Sequence, residues 1–530
     1  MRRREGYAWS RQWGATTAPV SAGGHVNLAH IIDDHASDSV ALICRGRATS
    51  YGELRDQVDR FRGGLRSLGV EAGDRVALLL SNSPQFVVGY LATVGLGAVI
   101  VPLNPTSPGP ELETELGVVG AKVVIVDKVS SVNWSHVDPA LLPTVQTVVH
   151  TEAAPDGAVV FDDLVASSEP LAAIDVDPAH LAALMFTSGT AGAPRAAMLT
   201  HGNLWANLDQ SLSADGHIDA DDVIYGVLPL FHIFGLNVVV GLGLRVGATI
   251  VLVQRFDPST AVQSIQDRRI TVIPGAPALW ATFAHFDELP ADTFATVRLA
   301  LSGASRLSIS VAETMRDRFG VEIREGYGLT EASPIVTTST GAPVRFGSVG
   351  RALQGVEIRL VGADGDALVG DVGEIWVRGD NIFAGYYEDP EATAAVLTDD
   401  GWLRTGDMAT TDDDGYLYLV DRSKDLIIVS GFNVYPAEVE EMLTMHPDVI
   451  EAAVVGVAHP HTGEAVKAYV VTREGADVDE DALIEHSLDH LARYKCPTKI
   501  IFVDALPRNA SGKLVRRSLD DALRVGVSLI

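Results

Sequence analysis

Short, uninterrupted apolar runs recur along the first half of the chain, and Val76-Ala-Leu-Leu-Leu80 is one of them. A run of that length without alternation is the pattern of a strand buried on both faces. Ser81-Asn82-Ser83-Pro84 follows, and a proline there suits the first turn of a helix. Phe86 to Leu96 reads as that helix, Gly97 ends it, and Ala98–Pro102 is the next strand. The pattern predicts a βαβ unit. Further apolar strands are predicted at Val123–Val126, Thr249–Val253, Thr271–Pro274 and Arg298–Leu301, with helical stretches between several of them. Such alternation implies an α/β fold with parallel-rich sheets and helices on their faces.

Near residue 355 the texture changes. Val356–Val361, Gly373–Arg378 and Tyr416–Val420 alternate between apolar and polar positions and are separated by Gly/Asp turns, which predicts a small antiparallel subdomain. The pattern then restarts. Leu426–Val429 reads as a strand, Pro436-Ala-Glu-Val-Glu-Glu441 as a helix start, Val449–Val457 and Ala465–Thr472 as strands, and Ala482–Leu491 as a helix. This predicts a tail over 1–26, a large N-terminal domain over 27–420, a connecting segment at 421–425, and a small α+β C-terminal domain over 426–530.

Two long uncharged runs, Val76–Pro110 and Val223–Leu244, have the length of a membrane span. Asn82, Pro84, Pro102 and Asn104 interrupt the first, and Pro229, His232 and Asn237 the second. Buried strand–helix–strand segments fit both better. With 40 basic and 69 acidic residues the formal net charge is −29. That lacks the basic footprint of a nucleic-acid binder. Cys44 and Cys496 are the two cysteines, too few for a disulfide scaffold, so a reducing cytoplasm is the expected location.

The most informative segment is Phe186-Thr-Ser-Gly-Thr-Ala-Gly-Ala-Pro-Arg-Ala196. Glycines let backbone N–H groups approach an anion, hydroxyls add donors, and the cation offsets phosphate charge. It is not a Walker A sequence, because no GxxxxGK[ST] occurs. Further along stand Pro229-Leu-Phe-His-Ile-Phe-Gly235, Gly326-Tyr-Gly-Leu-Thr-Glu331, Gly401-Trp-Leu-Arg-Thr-Gly-Asp407, Asp421-Arg-Ser-Lys-Asp425 with Gly431-Phe-Asn-Val-Tyr-Pro436, and Pro507-Arg-Asn-Ala-Ser-Gly-Lys513. Together and in this order, they resemble the adenylate-forming superfamily, which contains acyl-CoA synthetases, luciferases and peptide-synthetase adenylation domains. The resemblance spans about residue 27 to residue 520.

It implies a barrel-like form for the antiparallel subdomain and a mobile C-terminal domain. It also implies ATP and Mg²⁺ as requirements and CoA as co-substrate. Thr187, Ser188, Gly189, Thr190, Gly192 and Arg195 would form the phosphate loop. Gly303, Ala304 and Ser305 would line the adenine slot with Glu325, Gly326 and Tyr327. Thr330 would bond phosphate, and Glu331 would be the Mg²⁺ ligand, since one carboxylate plus phosphate oxygens is how this ion is commonly held. Asp407 would accept from both ribose hydroxyls, as an ionised acid can, with Arg422 beside it. His232 would position the substrate carboxylate, and Phe234, Val238, Pro334 and Ile335 would line the acyl pocket. Lys424 would be the hinge and Gly431 would border the CoA channel. Lys513 would stabilise the charge that builds on the α-phosphoryl group. Seven basic residues against one acid between Arg493 and Arg517 support an anion site there.

The implied activity is activation of a carboxylic acid, expected to be fatty, as acyl-AMP, followed by thioester formation with CoA. No Asp stands where amino-acid-activating relatives hold the substrate amine. Three positions depart from the family loop: Ala191 for Thr, Arg195 for Lys and Ala196 for Gly. They keep open a non-catalytic nucleotide- or acyl-binding relative. The other alternative is a ligase that loads a carrier protein, although no insertion of the kind typical of those relatives lies between Gly326 and Asp421. Neither His459-Pro-His461 nor the glycines of Gly241–Gly247 form a zinc or dinucleotide signature. The expected partners are the acid, ATP and CoA, with no nucleic acid and no membrane span. Homodimerisation is compatible with the sequence but specified by no residue in it.

Overall fold

The computed structural model describes residues 26–152, 157–187, 194–286, 289–362, 371–422, 427–429, 432–459, 463–473, 475–476, 478–491, 493–508, 514–516 and 519. Val26, the last residue of the expected tail, pairs with Val176 in an antiparallel bridge, its N–H 3.0 Å from the Val176 oxygen.

Two large sheets organise the N-terminal region. The first has seven strands, in the order Val159–Val160, Thr147–His150, Val123–Val126, Arg75–Leu79, Val99–Pro102, Leu181–Thr187 and Arg195–Thr200. Its pairings are parallel except for the last, an antiparallel hairpin in which Thr187 faces Arg195. The second sheet has nine strands. Its centre runs Ile323–Gly328, Leu299–Ser302, Val272–Gly275, Val223–Gly226 and Thr249–Leu252, all parallel, with antiparallel pairs toward the edges. The largest apolar cluster draws on both sheets, from Leu78 and Ile125 in one to Ile224 and Val272 in the other. This is the parallel-rich α/β architecture the apolar runs predict.

The first uncharged run is the strand Arg75–Leu79, the helix Pro84–Gly95 and the strand Val99–Pro102. Ser83 caps that helix by accepting from Phe86 N–H, with Pro84 in the first turn. The second run starts as the strand Val223–Gly226 and continues as a π-helix, Phe234–Leu242. No described helix is long and apolar enough to cross a membrane. The polar interruptions are used internally. Asn82 is buried, donates to Gly226 O, Leu228 O and Val253 O, and accepts from Leu230 N–H. One side chain thus ties a loop of the first sheet to two segments of the second, 226–230 and Val253.

Four antiparallel strands, Glu357–Val361, Gly373–Arg378, Leu403–Thr411 and Leu417–Arg422, form the third sheet, a curled half-barrel. Its last strand carries the chain two residues past 420; residues 423–426, with Lys424, lie outside the described set. A five-stranded sheet follows, from Ile427–Val429 to Lys499–Phe502, with helices Pro436–Thr444 and Glu480–His490 against it. Cys44 and Cys496 are free thiols.

Candidate active site

The C-terminal ends of the parallel strands of an α/β sheet are where loops gather, and here they open onto one cavity of about 850 Å³. The strand Leu299–Ser302 delivers Gly303, Ala304 and Ser305 to its wall. Phe234 lies directly against Gly303, so close that a Cβ there would stand 3.2 Å from the ring. Ala304 is left-handed, at φ 71°, an unfavourable conformation for a residue with a side chain. The strand Ile323–Gly328 brings Gly326 and Tyr327, and the 3₁₀ turn Thr330–Ala332 brings Thr330 and Glu331.

Tyr327 is buried, and its hydroxyl donates to Asp407 Oδ2 at 2.6 Å. Asp407 sits in the strand Leu403–Thr411, in register opposite Arg422. Glu331 Oε1 accepts from the Tyr386 hydroxyl at 2.7 Å. Burial and the neighbouring Glu331 carboxylate push the Tyr386 phenol far above its ordinary range. Arg195 pairs with Asp389 at 3.2 Å and lies over the Tyr386 ring, 5.8 Å from its centre. The loop departure at 195 thus holds its cation beside the same tyrosine. His232 Nδ1 accepts from Phe234 N–H at 3.2 Å, so the neutral ring carries its proton on Nε2. A Cβ on Gly235 would stand 2.1 Å from Pro229 O, which explains a glycine in Pro229–Gly235.

Most of the residues singled out in the sequence converge on this cavity. Thr187, Arg195, His232, Phe234 and Val238 line it, as do the residues from Gly303 to Ser305, Gly326, Tyr327, Thr330, Glu331, Pro334, Ile335 and Asp407. Glu325 does not. Its carboxylate instead accepts from Leu307 N–H at 3.4 Å. Burial raises its pKa to about 7. Arg422 is described by its backbone alone. Ser188, Gly189, Thr190, Gly192, Lys424, Gly431 and Lys513 lie outside the described residues.

The basic stretch near the C-terminus, read from sequence as support for an anion site, has acidic partners in the fold at four of its described residues. Lys495 pairs with Glu438 at 2.6 Å, Lys499 with Glu480 at 2.9 Å, Arg508 with Glu451 at 3.0 Å and Arg516 with Glu440 at 2.7 Å. The cations are distant from those acids in sequence and meet them across the folded sheet. Arg508, Arg516 and Glu440 also line the cavity, so the smaller domain faces the site. Sequence reading missed Tyr386 and the deep residues Ser211 and His217; Tyr386 stands in Gly385-Tyr-Tyr387 with nothing local to mark it.

Among the described residues no group of three or more His, Cys, Asp or Glu side chains can hold a metal. Glu331 offers a cavity-lining carboxylate with one oxygen held by Tyr386. That fits a cation bound by one protein ligand plus phosphate oxygens, the habit of Mg²⁺.

Residues 29–387 match the AMP-binding enzyme family, and residues 438–513 match the AMP-binding enzyme C-terminal domain. The chain belongs to the AMP-binding enzyme family. As a member of that family it is 34% identical over 498 residues to 4-coumarate–CoA ligase 3 of Oryza sativa subsp. japonica, covering 91% of this chain and 88% of that one. Among solved structures it resembles ATP-bound MatB from Rhodopseudomonas palustris, with a TM-score of 0.86, 34% identity and coverage of 95% and 99% of the two chains. The anthranilate CoA ligase AuaEII bound to anthranoyl-AMP is also similar, with a TM-score of 0.89, 26% identity and coverage of 95% and 98%. The adenylate-forming resemblance, the fold class and the family therefore agree.

Proposed function

We propose that the protein activates a carboxylic acid with ATP, giving acyl-AMP and pyrophosphate, and then transfers the acyl group to CoA with release of AMP. The observation that carries this reading is a single cavity shared by Tyr327, Thr330, Glu331 and Asp407 on one side and by His232, Phe234 and Val238 on the other. The nucleotide and the acid can meet there without a protein nucleophile.

In this reading Asp407 accepts from the ribose hydroxyls and the Tyr327 ring lies against adenine. His232 donates Nε2–H to the substrate carboxylate, aligning it for attack on the α-phosphate. Thr187, Thr330 and Arg195 bind phosphate oxygens, with Ser188, Gly189, Thr190 and Gly192 in the loop. Mg²⁺ would be held at Glu331 and would offset charge on the departing pyrophosphate. Lys513 stabilises the negative charge of the adenylation transition state. A turn of the smaller domain, residues 426–530, about Lys424 then exchanges Lys513 for the segment around Gly431, where a thiol reaches the mixed anhydride.

The acid has an apolar body. The apolar walls suit the fatty acid expected from the sequence, whereas several similar proteins carry names of aryl acids, 4-coumarate and anthranilate among them. The test is pyrophosphate release by purified protein with MgATP across fatty and aryl acids, with and without CoA, and with Lys513→Ala as control. Acid-dependent release, an acyl-CoA product and loss in the control are expected. Release without an acyl-CoA product transfers the reading to a carrier-protein acceptor. ATP binding without release for any acid would return it to a non-catalytic relative.

A further inference from the structure

The cavity continues well past Phe234. Leu299, Leu301 and Gly303 all line it. Leu299 and Leu301 are alternate residues of one strand and share a face, and Gly303 follows in step just past its end. From Gly303 to Leu299 is a distance of about 13 Å at ~3.3 Å per residue. The opposite wall is the π-helix Phe234–Leu242, from which Phe234, Val238 and Leu242 line the cavity at four-residue spacing. Their span is about 12 Å at the α-helical rise of ~1.5 Å, and somewhat less in a wider π-helix. Two independent walls therefore define an apolar slot of similar depth.

At its far end the lining turns polar. Arg298, the residue before Leu299, donates to His217 O at 2.9 Å, which fixes His217 at that end. His217 and Ser211 both line the cavity. His217 Nδ1 donates to Ile218 O at 2.6 Å. In the neutral ring this leaves Nε2 as a lone-pair acceptor, and no hydrogen bond from a described residue reaches it. Ser211 Oγ spends its proton on Asn207 O at 2.7 Å, so it too can only accept. A slot with these apolar walls, with Arg324 beside Leu301 spending Nη1 on Ser339 O and Ala342 O, and with acceptors at its end is matched by a ligand with an O–H donor there.

We propose that the protein selects carboxylic acids whose apolar body ends in a hydroxyl roughly 10–13 Å from the carboxylate, with His217 Nε2 accepting that hydroxyl's proton. The proposal rests on reading the cavity as an acid-activating site.

The test uses ω-hydroxydecanoate and decanoate, which differ only at the far end. Two readouts are taken on the full chain: kcat/KM for pyrophosphate release with MgATP, and calorimetric dissociation constants for each acid. The wild type is expected to prefer the hydroxy acid by about five- to tenfold, the size of one neutral hydrogen bond. His217→Leu should bring that ratio to about one, and His217→Gln, which keeps an acceptor, should retain most of it. No preference in the wild type, or an equal preference in His217→Leu, overturns the proposal, as does failure of either acid to bind. If the binding preference follows His217 but neither acid releases pyrophosphate, the slot assignment stands and the reaction proposed above falls.

Discussion

The Tyr386 hydroxyl donates to Glu331 Oε1 at 2.7 Å, and the same ring carries the Arg195 guanidinium on its face. A donor on one carboxylate oxygen restricts the rotation of the group and presents the other oxygen in a fixed direction. Tyr386→Phe should therefore raise the Mg²⁺ concentration needed for half-maximal pyrophosphate release by about three- to tenfold, the worth of one charge-assisted hydrogen bond discounted for partial exposure. The melting temperature should change little. An unchanged Mg²⁺ titration would show that Glu331 needs no such support.

Tyr327 and Asp407 make a contact that a ribose would contest. Asp407 is 9% exposed, and its Oδ2 receives the Tyr327 hydroxyl at 2.6 Å. Asp407→Asn removes the charge and one acceptor, and ATP affinity measured by calorimetry should fall at least about tenfold. Tyr327→Phe removes the internal competitor, and ATP affinity should rise by about two- to fivefold. Loss of affinity in both variants would mean that the hydroxyl orients Asp407 instead of competing for it.

Asn82→Ala would remove a hydrogen bond from three carbonyls and one N–H at once, of which, among the described residues, Gly226 O alone keeps another donor in Val253 N–H. Unpaired buried groups of this kind predict a loss of about 2–4 kcal/mol, read from the urea midpoint at constant slope. A loss below about 1 kcal/mol would show that water or backbone movement replaces the amide.

Glu115 supplies a pH test remote from the site. It is buried on the helix Gly109–Val119 beside Leu112 and Leu116, and its Oε2 has no hydrogen-bond partner among the described residues. Burial, with a smaller contribution from Glu111, raises its pKa from 4.5 to about 8. The folded state therefore holds a proton that the unfolded state loses, so stability falls as pH rises between those values. Glu115→Gln should flatten that decline, gaining about 2–4 kcal/mol on the wild type between about pH 5 and pH 8.5. Parallel pH profiles for the two proteins would refute the assignment.

What could be read from the sequence was local. Val76–Leu80 and Val123–Val126 announced buried strands because a parallel sheet covered on both faces needs uninterrupted apolar residues. Cavity-lining residues such as Gly303, Tyr327 and Glu331 were legible because the ordered motifs resemble those of the adenylate-forming superfamily. Three things were hidden. Tyr386 meets Glu331 only through folding, across 55 intervening positions. Lys495, Lys499, Arg508 and Arg516 looked like a surplus until the fold set Glu438, Glu480, Glu451 and Glu440 against them. His217 is unremarkable in sequence and gains meaning from the strand that ends beside it. Glu325 is the converse case: expected beside the adenine with Gly326 and Tyr327, it spends its carboxylate on Leu307 N–H and does not line the cavity.

Asn82 also bears on how the molecule moves. Its amide joins the loop after Arg75–Leu79 to the ends of strands in the other large sheet, so neither sheet can slide against the other without breaking several bonds together. Thr187 and Arg195 belong to one sheet; Tyr327 belongs to the other, and Gly303 and Glu331 follow its strands. The two halves of the cavity are thus riveted together and hold one spacing.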